Sequence, residues 1–463
     1  MKNTFLLVAM LALGEQVAAQ QPFRSGPLKV SENKRYLVHA DGSPFFYLGD
    51  TAWELFHRLN RAEADRYLKR RAEQGFTVIQ AVALAELDGL NTPNANGDKP
   101  LLNNDPTTPN EAYFKHVDYV IDKAAEYGLV IGLLPTWGDK LFKSSWGQGP
   151  QIFNAQNANA YGRWIGDRYK NRPNIIWIMG GDRNPREGTE DVAIWRAMAE
   201  GVQAGAGGPD KALMSFHPQP NATADGGSSK WFHRDNWLDF NMHQNGHCRD
   251  TPVYAKITVS YNRIPTKPTM DAEPIYEDHP VCFNANDLGL SNALDVRKAA
   301  YLDLFAGAHG HTYGCHDIWQ MYSPGRESVN GAHLNWADAM ELTAANQMKF
   351  VRRLMESRPM LERIPDQSLV VESDYPAAER IQATRGNSYA LVYTAAGKPF
   401  TVNMGKISGK DVSTSWFNPR TGDVKGNGKI ANTGRHRFVP PTTDYGQDWI
   451  LILDDSTKRY SFP

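Results

Sequence analysis

The stretch IWIMGGDRN, residues 176–184, decides how the rest of the chain is interpreted. Its first four residues are apolar, which is typical of a strand in a parallel sheet that is buried on both faces. Gly180 and Gly181 then permit a sharp turn and leave space for a ligand. We therefore expect Asp182 to project from the strand end, with Asn184 beside it as a hydrogen-bonding group.

Runs of the same kind recur along the chain and alternate with amphipathic stretches. Strands alternating with helices predict parallel pairing, and eight such units predict an α/β fold, a closed (β/α)8 TIM barrel. An open doubly wound sheet is the alternative, because no helix is obvious between the fifth and sixth strands, in Thr223–Lys230. The predicted strands are Phe45–Gly49, Phe76–Leu84, Leu129–Pro135, Asn174–Met179, Ala212–His217, Trp237–Met242, Lys267–Glu273 and His309–Gly314. The predicted helices are Glu63–Gln74, Ala112–Tyr127, Ala155–Tyr169, Asp191–Val202, Ser291–Phe305 and Asp338–Ser357.

Composition changes near Pro365, where short alternating runs separated by turn signals begin. This pattern predicts a small antiparallel β-sandwich over residues 365–463. Its predicted strands are Ser368–Glu372, Tyr389–Thr394, Phe400–Met404, Ser413–Phe417 and Trp449–Leu453.

The N-terminus, MKNTFLLVAMLALGEQVAAQ, combines an early lysine, an apolar run and small residues before Gln20. This layout predicts a signal peptide over residues 1–19, cleaved after Ala19, and export to the periplasm or the extracellular space. The catalytic barrel is then predicted over residues 20–364, with an N-terminal hairpin formed by Leu28–Ala40.

Composition excludes several classes of partner. The formal net charge of −1 provides no long-range field that would attract nucleic acid. No segment after residue 19 approaches the roughly 18 apolar residues that a membrane span requires. The three cysteines, Cys248, Cys282 and Cys315, match no zinc pattern and permit at most one disulfide. The oligomeric state stays open.

Polar and aromatic residues follow the predicted strand ends, which in a barrel meet at one rim. Carboxylates and imidazoles at such a rim can cleave or bind a ligand, and indole rings provide an apolar surface for a sugar. The candidate substrate-binding residues are Asp50, Trp53, Glu86, Trp137, Asn184, His217, His243, His311, Tyr313 and Trp319.

Two carboxylates stand out as candidate catalytic residues. The seventh strand reads KPTMDAEP, and Pro274 should end its pairing with Glu273 at the last strand position. Acids at the ends of strands four and seven would face each other across the rim, as an acid/base and a nucleophile flank a glycosidic bond. Asp271, which strand alternation places on the same face as Glu273, and Glu277 are rivals for the second position.

Other roles for these residues remain open. Asp182 could cap a helix or pair with Arg183 or Arg186. The segment HGHTYGCH, residues 309–316, invites a metal site, but it lacks the spacing of an HExxH helix. We expect carboxylate chemistry with no metal and no cofactor.

Three segments resemble the apiosidase-like proteins of glycoside hydrolase family 140. They are GSPFFYLGDTAWELFHRLN, residues 42–60, WIMGGDRN, residues 177–184, and DAEPIYE, residues 271–277. The resemblance covers nearly the whole mature chain, including the β-sandwich. It implies that Asp182 is the acid/base and Glu273 the nucleophile, although clan A barrels usually carry a glutamate after an asparagine at the first position.

The resemblance also implies a substrate, the bond from apiose to galacturonic acid in the pectic polymer rhamnogalacturonan II. The leading hypothesis is therefore an exported retaining glycosidase whose partner is a pectic oligosaccharide or polysaccharide. The alternative is a non-catalytic carbohydrate-binding or matrix-adhesion protein, which the β-sandwich and the aromatic rim also fit.

Overall fold

The computed structural model describes residues 26–220, 223, 225–372 and 375–460. The predicted signal peptide lies outside these residues. Eight parallel strands form a nearly closed barrel surrounded by helices, which confirms the predicted fold class. The fifth and sixth strands close the ring through one backbone hydrogen bond, from Asp239 N to Met214 O over 2.8 Å, and two that involve side chains. Asp239 Oδ2 accepts from Met214 N over 2.8 Å, and Ser215 Oγ donates to Phe240 O over 2.6 Å.

The barrel elements follow the predicted order, with shifted ends. The strands are Tyr47–Thr51, Val78–Leu84, Val130–Thr136, Ile175–Gly180, Met214–His217, Asn241–Gln244, Thr269–Glu273 and Gly310–Tyr313. The α-helices are Leu55–Arg58, Arg61–Glu73, Glu111–Glu126, Ala155–Tyr169, Asp191–Ala206, Ser229–Phe232, Val253–Tyr261, Ala285–Leu288, Ala293–Phe305, His316–Trp319, Trp336–Ala339 and Thr343–Glu356. The 3-10 helices of the barrel are Leu102–Asn104, Gly138–Lys140, Pro209–Lys211, Val281–Phe283 and Met360–Glu362.

Three asparagines fix the starts of three of the longer helices. Asn60, Asn154 and Asn292 each accept a hydrogen bond from the third helical residue or its neighbour, and each forms a reciprocal capping box. Such caps satisfy backbone N–H groups that a helix start leaves unpaired.

Two predicted barrel elements are wrong in detail. The sixth strand begins at Asn241, so Trp237 and Leu238 precede it. The predicted helix Asp338–Ser357 is two helices, because the buried Glu277 carboxylate accepts from Ala344 N over 2.8 Å and caps a second helix there.

Ahead of the barrel, a three-stranded antiparallel sheet replaces the simple hairpin. Its strands are Leu28–Val30, Leu37–His39 and Pro44–Phe45. Cys248 and Cys282 form a disulfide, and Cys315 is a buried free thiol. Among the described residues, no helix has both the length and the apolar character that crossing a membrane requires.

The C-terminal domain consists of a six-stranded and a two-stranded antiparallel sheet around a core that includes Phe400, Trp416 and Leu451. The expected strand Ser368–Glu372 is wrong, because Gln367–Leu369 forms a 3-10 turn. Four of the observed strands were not predicted, and one of them, Val424–Ala431, is almost entirely exposed. The strands are Ile364–Pro365, Ile381–Arg385, Tyr389–Thr394, Phe400–Asn403, Asp411–Phe417, Val424–Ala431, Arg435–Phe438 and Trp449–Asp455, and a further 3-10 helix is Ala377–Glu379.

This domain packs directly on the barrel helices. The Arg297 guanidinium forms a buried ion pair with Asp448 at 2.9 Å, and Tyr301 stacks on Tyr393 with ring centroids 5.1 Å apart. Leu391 and Ile450 belong to the same apolar cluster as the helix layer. The two domains therefore share a packed interface.

Candidate active site

A cavity of about 580 Å³ opens at the carboxyl ends of the barrel strands. Its wall combines indole and phenol rings with carboxylates, amides and imidazoles. The polar and aromatic residues that line it are Trp53, Glu86, Trp137, Trp146, Gln148, Asp182, Gln219, Gln244, His247, Glu273, Tyr276, His279, Phe283, Trp319 and Asn330.

Asp182 reaches the cavity through a turn that requires two glycines. Gly180 and Gly181 have φ values of 91° and 110°, and a Cβ atom on Gly180 would lie 2.2 Å from His217 O. Asp182 follows at φ 53°, which is uncommon for a residue other than glycine. Strain of this kind clusters at functional sites. The backbone conformation of the two glycines therefore places the Asp182 carboxylate in the cavity.

One oxygen of Asp182 is held and the other has no partner. Trp146 Nε1 donates to Oδ2 over 3.0 Å, whereas Oδ1 is buried without a hydrogen-bond partner. Arg183 is 3.6 Å from Oδ2 but directs its guanidinium mainly to backbone carbonyls, including Phe142 O and Lys143 O. The Gln244 side chain also lies within reach of this carboxyl group, and Oδ1, which has no hydrogen bond of good geometry, can meet a ligand.

Glu273 is the last residue of the seventh strand, as predicted, and its side chain is 6% exposed. Its two oxygens face two imidazoles. His217 Nε2 lies 3.1 Å from Oε2, and His247 Nε2 lies 3.4 Å from Oε1. The two rings therefore flank the carboxylate, one beside each oxygen.

The two carboxyl groups have opposite protonation tendencies. Burial, together with the nearby charge of Glu273, raises the pKa of Asp182 to about 8. Burial also acts to raise the pKa of Glu273, but His217 and His247 outweigh it and hold that pKa well below its usual range. At neutral pH the pair therefore consists of one acid and one carboxylate, as proton donation and nucleophilic attack require.

A third carboxyl group, Glu86, also lines the cavity. Burial and the charges of Asp139 and Asp182 raise its pKa well above the usual range. A neutral carboxyl at this position can donate a hydrogen bond to a sugar hydroxyl.

The predicted substrate-binding residues differ in whether they reach the cavity. Trp53, Glu86, Trp137 and Trp319 line the cavity. His217 lies behind this surface, with its ring centroid 5.1 Å from that of Trp53 and its Nε2 against Glu273.

Four other predicted residues face the helix layer instead. Asp50 accepts from Arg71 Nε over 2.6 Å, and His243 Nε2 lies 2.7 Å from Ser260 Oγ. His311 lies against Asp303, and Tyr313 donates to Glu277 Oε2 over 2.8 Å. Side chains alternate between the two faces of a strand. A residue near a strand end therefore points into the barrel only if it lies an even number of positions from another inward-facing residue of that strand.

Asn184 does not line the cavity either. Its side chain donates to Gln219 O over 3.2 Å and accepts from Gln219 N over 3.1 Å. Because Gln219 lines the cavity, these two hydrogen bonds fix part of the cavity wall, although Asn184 itself does not contact the cavity.

The rival acids have structural partners. A register shift between Asp271 and Glu273 breaks the expected alternation, and Asp271 accepts from Asn245 Nδ2 over 2.6 Å outside the cavity. Glu277 caps the helix Thr343–Glu356. The histidines of the HGHTYGCH segment also separate, since His309 bonds Thr269 O and His316 bonds Asn330 O.

Several cavity residues were missed by sequence reasoning. Trp146, His247 and His279 lie on loops that follow the third, sixth and seventh strands, and Tyr276 lies just beyond Glu273. Gln244 ends the sixth strand and was passed over for its neighbour His243. Only Gln244 and Tyr276 had a sequence signal, their proximity to a strand end.

A family model described as apiosidase-like, catalytic domain, matches residues 31–362. The chain belongs to the apiosidase-like family. This apiosidase-like chain also matches, over residues 364–454, a model described as a collagen-binding domain of a collagenase. The comparison with curated proteins gives no match.

Two solved structures are similar to this apiosidase-like chain over nearly its full length. One is named a glycoside hydrolase, with 36% identity, a TM-score of 0.86, and coverage of 95% of this chain and 99% of the other. The second is a glycoside hydrolase family 5 protein from Bacteroides vulgatus, with 34% identity, a TM-score of 0.86 and 95% coverage of both chains. The chain is therefore a glycoside hydrolase, and the non-catalytic alternative is set aside.

Proposed function

We propose that this chain is a secreted retaining glycosidase that cleaves the bond between apiose and galacturonic acid in rhamnogalacturonan II. The observation that carries the proposal is the pair of carboxyl groups, Asp182 and Glu273, which line one cavity and have pKa values displaced in opposite directions. We assign Asp182 as the acid/base and Glu273 as the nucleophile.

In the first step, the ionised Glu273 attacks the anomeric carbon while the bond from that carbon to the leaving oxygen breaks. Asp182 donates its proton to the leaving oxygen, and a glycosyl ester on Glu273 results. The unpaired Oδ1 is the atom from which this proton can be given, because Oδ2 accepts from Trp146.

In the second step, the newly ionised Asp182 takes a proton from water, and the hydroxide equivalent attacks the anomeric carbon. The ester bond to Glu273 breaks and the carboxylate is regenerated. Two displacements on opposite faces give net retention.

The cavity lining supports a carbohydrate substrate. Trp53, Trp137 and Trp319 offer apolar ring surfaces, while amides of Gln148 and Asn330 offer donors and acceptors for hydroxyl or carboxylate groups. The assignment of apiose and galacturonic acid rests on family membership, and that of secretion on residues 1–19.

The test is incubation of the purified chain with rhamnogalacturonan II, with Glu273→Gln as the inactive control. We expect release of apiose, and time-resolved proton NMR should show the initial anomer with the configuration of the substrate. Binding without cleavage, or an initial product of inverted configuration, would contradict the proposal.

A further inference from the structure

Three side chains outside the catalytic pair converge beside the cavity. Asp278 follows the seventh barrel strand, Asp317 follows the eighth, and His333 lies on the loop beyond it. One carboxylate or imidazole atom from each lies within 4.8 Å of the other two. The neighbouring residues Val329 and Asn330 of the same loop line the cavity.

Only one of the two Asp317 carboxylate oxygens accepts hydrogen bonds. Asp317 is fully buried, and its Oδ1 accepts from His333 N over 2.7 Å and Leu334 N over 2.9 Å. Its Oδ2 is buried and has no hydrogen-bond partner, and the same is true of Asp278 Oδ2. The Asp278 carboxyl group lies within hydrogen-bonding reach of the Asp317 carboxylate, so two acidic groups meet in a largely buried position, which is costly unless a proton or a cation lies between them.

The imidazole of His333 does not compensate this charge by a hydrogen bond. His333 Nε2 lies 3.5 Å from Asp278 Oδ2, beyond the roughly 2.7–3.2 Å of an N–H···O bond. A tetrahedral zinc ion binds nitrogen and oxygen at about 2.0–2.2 Å, which places two of its ligands roughly 3.4 Å apart. The separation fits two ligands of one ion better than a donor and an acceptor.

We propose that Asp278, Asp317 and His333 form a binding site for a zinc ion. An imidazole with two carboxylates is a donor set that suits zinc, whereas calcium and magnesium bind through oxygen. His333 has a half-exposed side chain, so an ion can enter from solvent. A water molecule would complete the tetrahedron.

The site would link two loops that border the catalytic cavity. Asp278 precedes His279, which lines the cavity, and His333 lies three residues beyond Asn330. The ion would thus stabilise the wall without touching Asp182 or Glu273. The proposal is independent of the reaction assigned to those two acids.

The test uses the full chain, freed of metal with EDTA and dialysed. Zinc chloride is titrated by isothermal calorimetry into the wild type, Asp317→Asn and His333→Ala. Asparagine keeps the Oδ1 acceptor for the two backbone N–H groups, so the first variant should fold. Asp338→Asn, which removes an exposed acid from the same region, is the matched control.

We expect one zinc ion per chain, affinity about tenfold or more weaker in Asp317→Asn and His333→Ala, and wild-type affinity in Asp338→Asn. A crystal soaked in zinc should give an anomalous peak between the three side chains. No zinc binding, equal binding by all four proteins, or binding of calcium in preference to zinc would overturn the proposal. If Asp278 and Asp317 share a proton and bind no metal ion, the titration will show no zinc binding.

Discussion

Trp146 Nε1 donates a hydrogen bond to Asp182 Oδ2 over 3.0 Å, and the indole is itself 40% exposed. The Arg183 guanidinium lies over the same ring, 4.7 Å from its centroid, and donates to Trp146 O. A donor to a carboxylate stabilises its ionised form. The contact with Trp146 therefore opposes the burial that raises the pKa of Asp182.

Trp146→Phe should move the basic limb of the kcat/KM profile to higher pH by about one unit. A hydrogen bond to a charged group contributes about 1.5 kcal/mol, which is close to one pKa unit. Phenylalanine keeps a ring beneath Arg183 but has no N–H. Trp164→Phe, on a helix surface against Phe114, is the control and should leave the profile unchanged. If the basic limb of the Trp146→Phe profile stays at the wild-type pH or moves to lower pH, the hydrogen bond from Trp146 does not lower the pKa of Asp182.

The wild-type pH profile should fall on the alkaline side near pH 8. The general acid works only when protonated, and the pKa of Asp182 is about 8, so activity is present below this value and lost as pH rises through it. Because the pKa of Glu273 lies below its usual range, no acidic decline is expected until below about pH 4, the ordinary value for glutamate. Initial rates at low substrate concentration measure this profile. A basic limb near pH 5 would mean that Asp182 is ionised at neutral pH and cannot be the acid.

Asp182→Ala and Glu273→Ala should each abolish most turnover, with a loss of about 10²–10⁴ for the general acid. Azide distinguishes their roles. In Asp182→Ala it should attack the glycosyl ester and give a product of retained configuration, whereas in Glu273→Ala it should occupy the nucleophile position and give the inverted one. Glu187→Ala, an exposed acid on the same loop as Asp182, is the control. Near-normal activity of either active-site variant contradicts the assignment.

Asp448→Ala should destabilise the chain by about 3–5 kcal/mol, because it leaves the Arg297 guanidinium buried without its ion-pair partner. Urea unfolding followed by tryptophan fluorescence measures the loss. The matched control is Asp122→Ala, an exposed carboxylate paired with Arg172, and the loss of this pair should cost less than about 1 kcal/mol. Equal effects of the two substitutions would show that the domain interface does not depend on this pair.

Much of the fold could be predicted because its signals are local. Apolar runs and amphipathic helices identified eight strand–helix units, and the helix Ala155–Tyr169 matches its predicted ends. Glycine pairs and prolines act on their own backbone, so the turn after Gly180 and the strand end at Glu273 could be located from the sequence. Strands such as Val424–Ala431 could not, because an exposed strand buries no alternating apolar face.

The sequence by itself determined which strand ends bring carboxyl groups to the cavity, and so located Asp182 and Glu273. Only the tertiary structure decided which neighbouring side chains reach the cavity. Asp50, His243 and Tyr313 face the helices because a shift of one residue turns a side chain to the other side of a strand. His247 and His279 line the cavity from loops whose position depends on the packing of the whole barrel. No local sequence pattern predicts that packing.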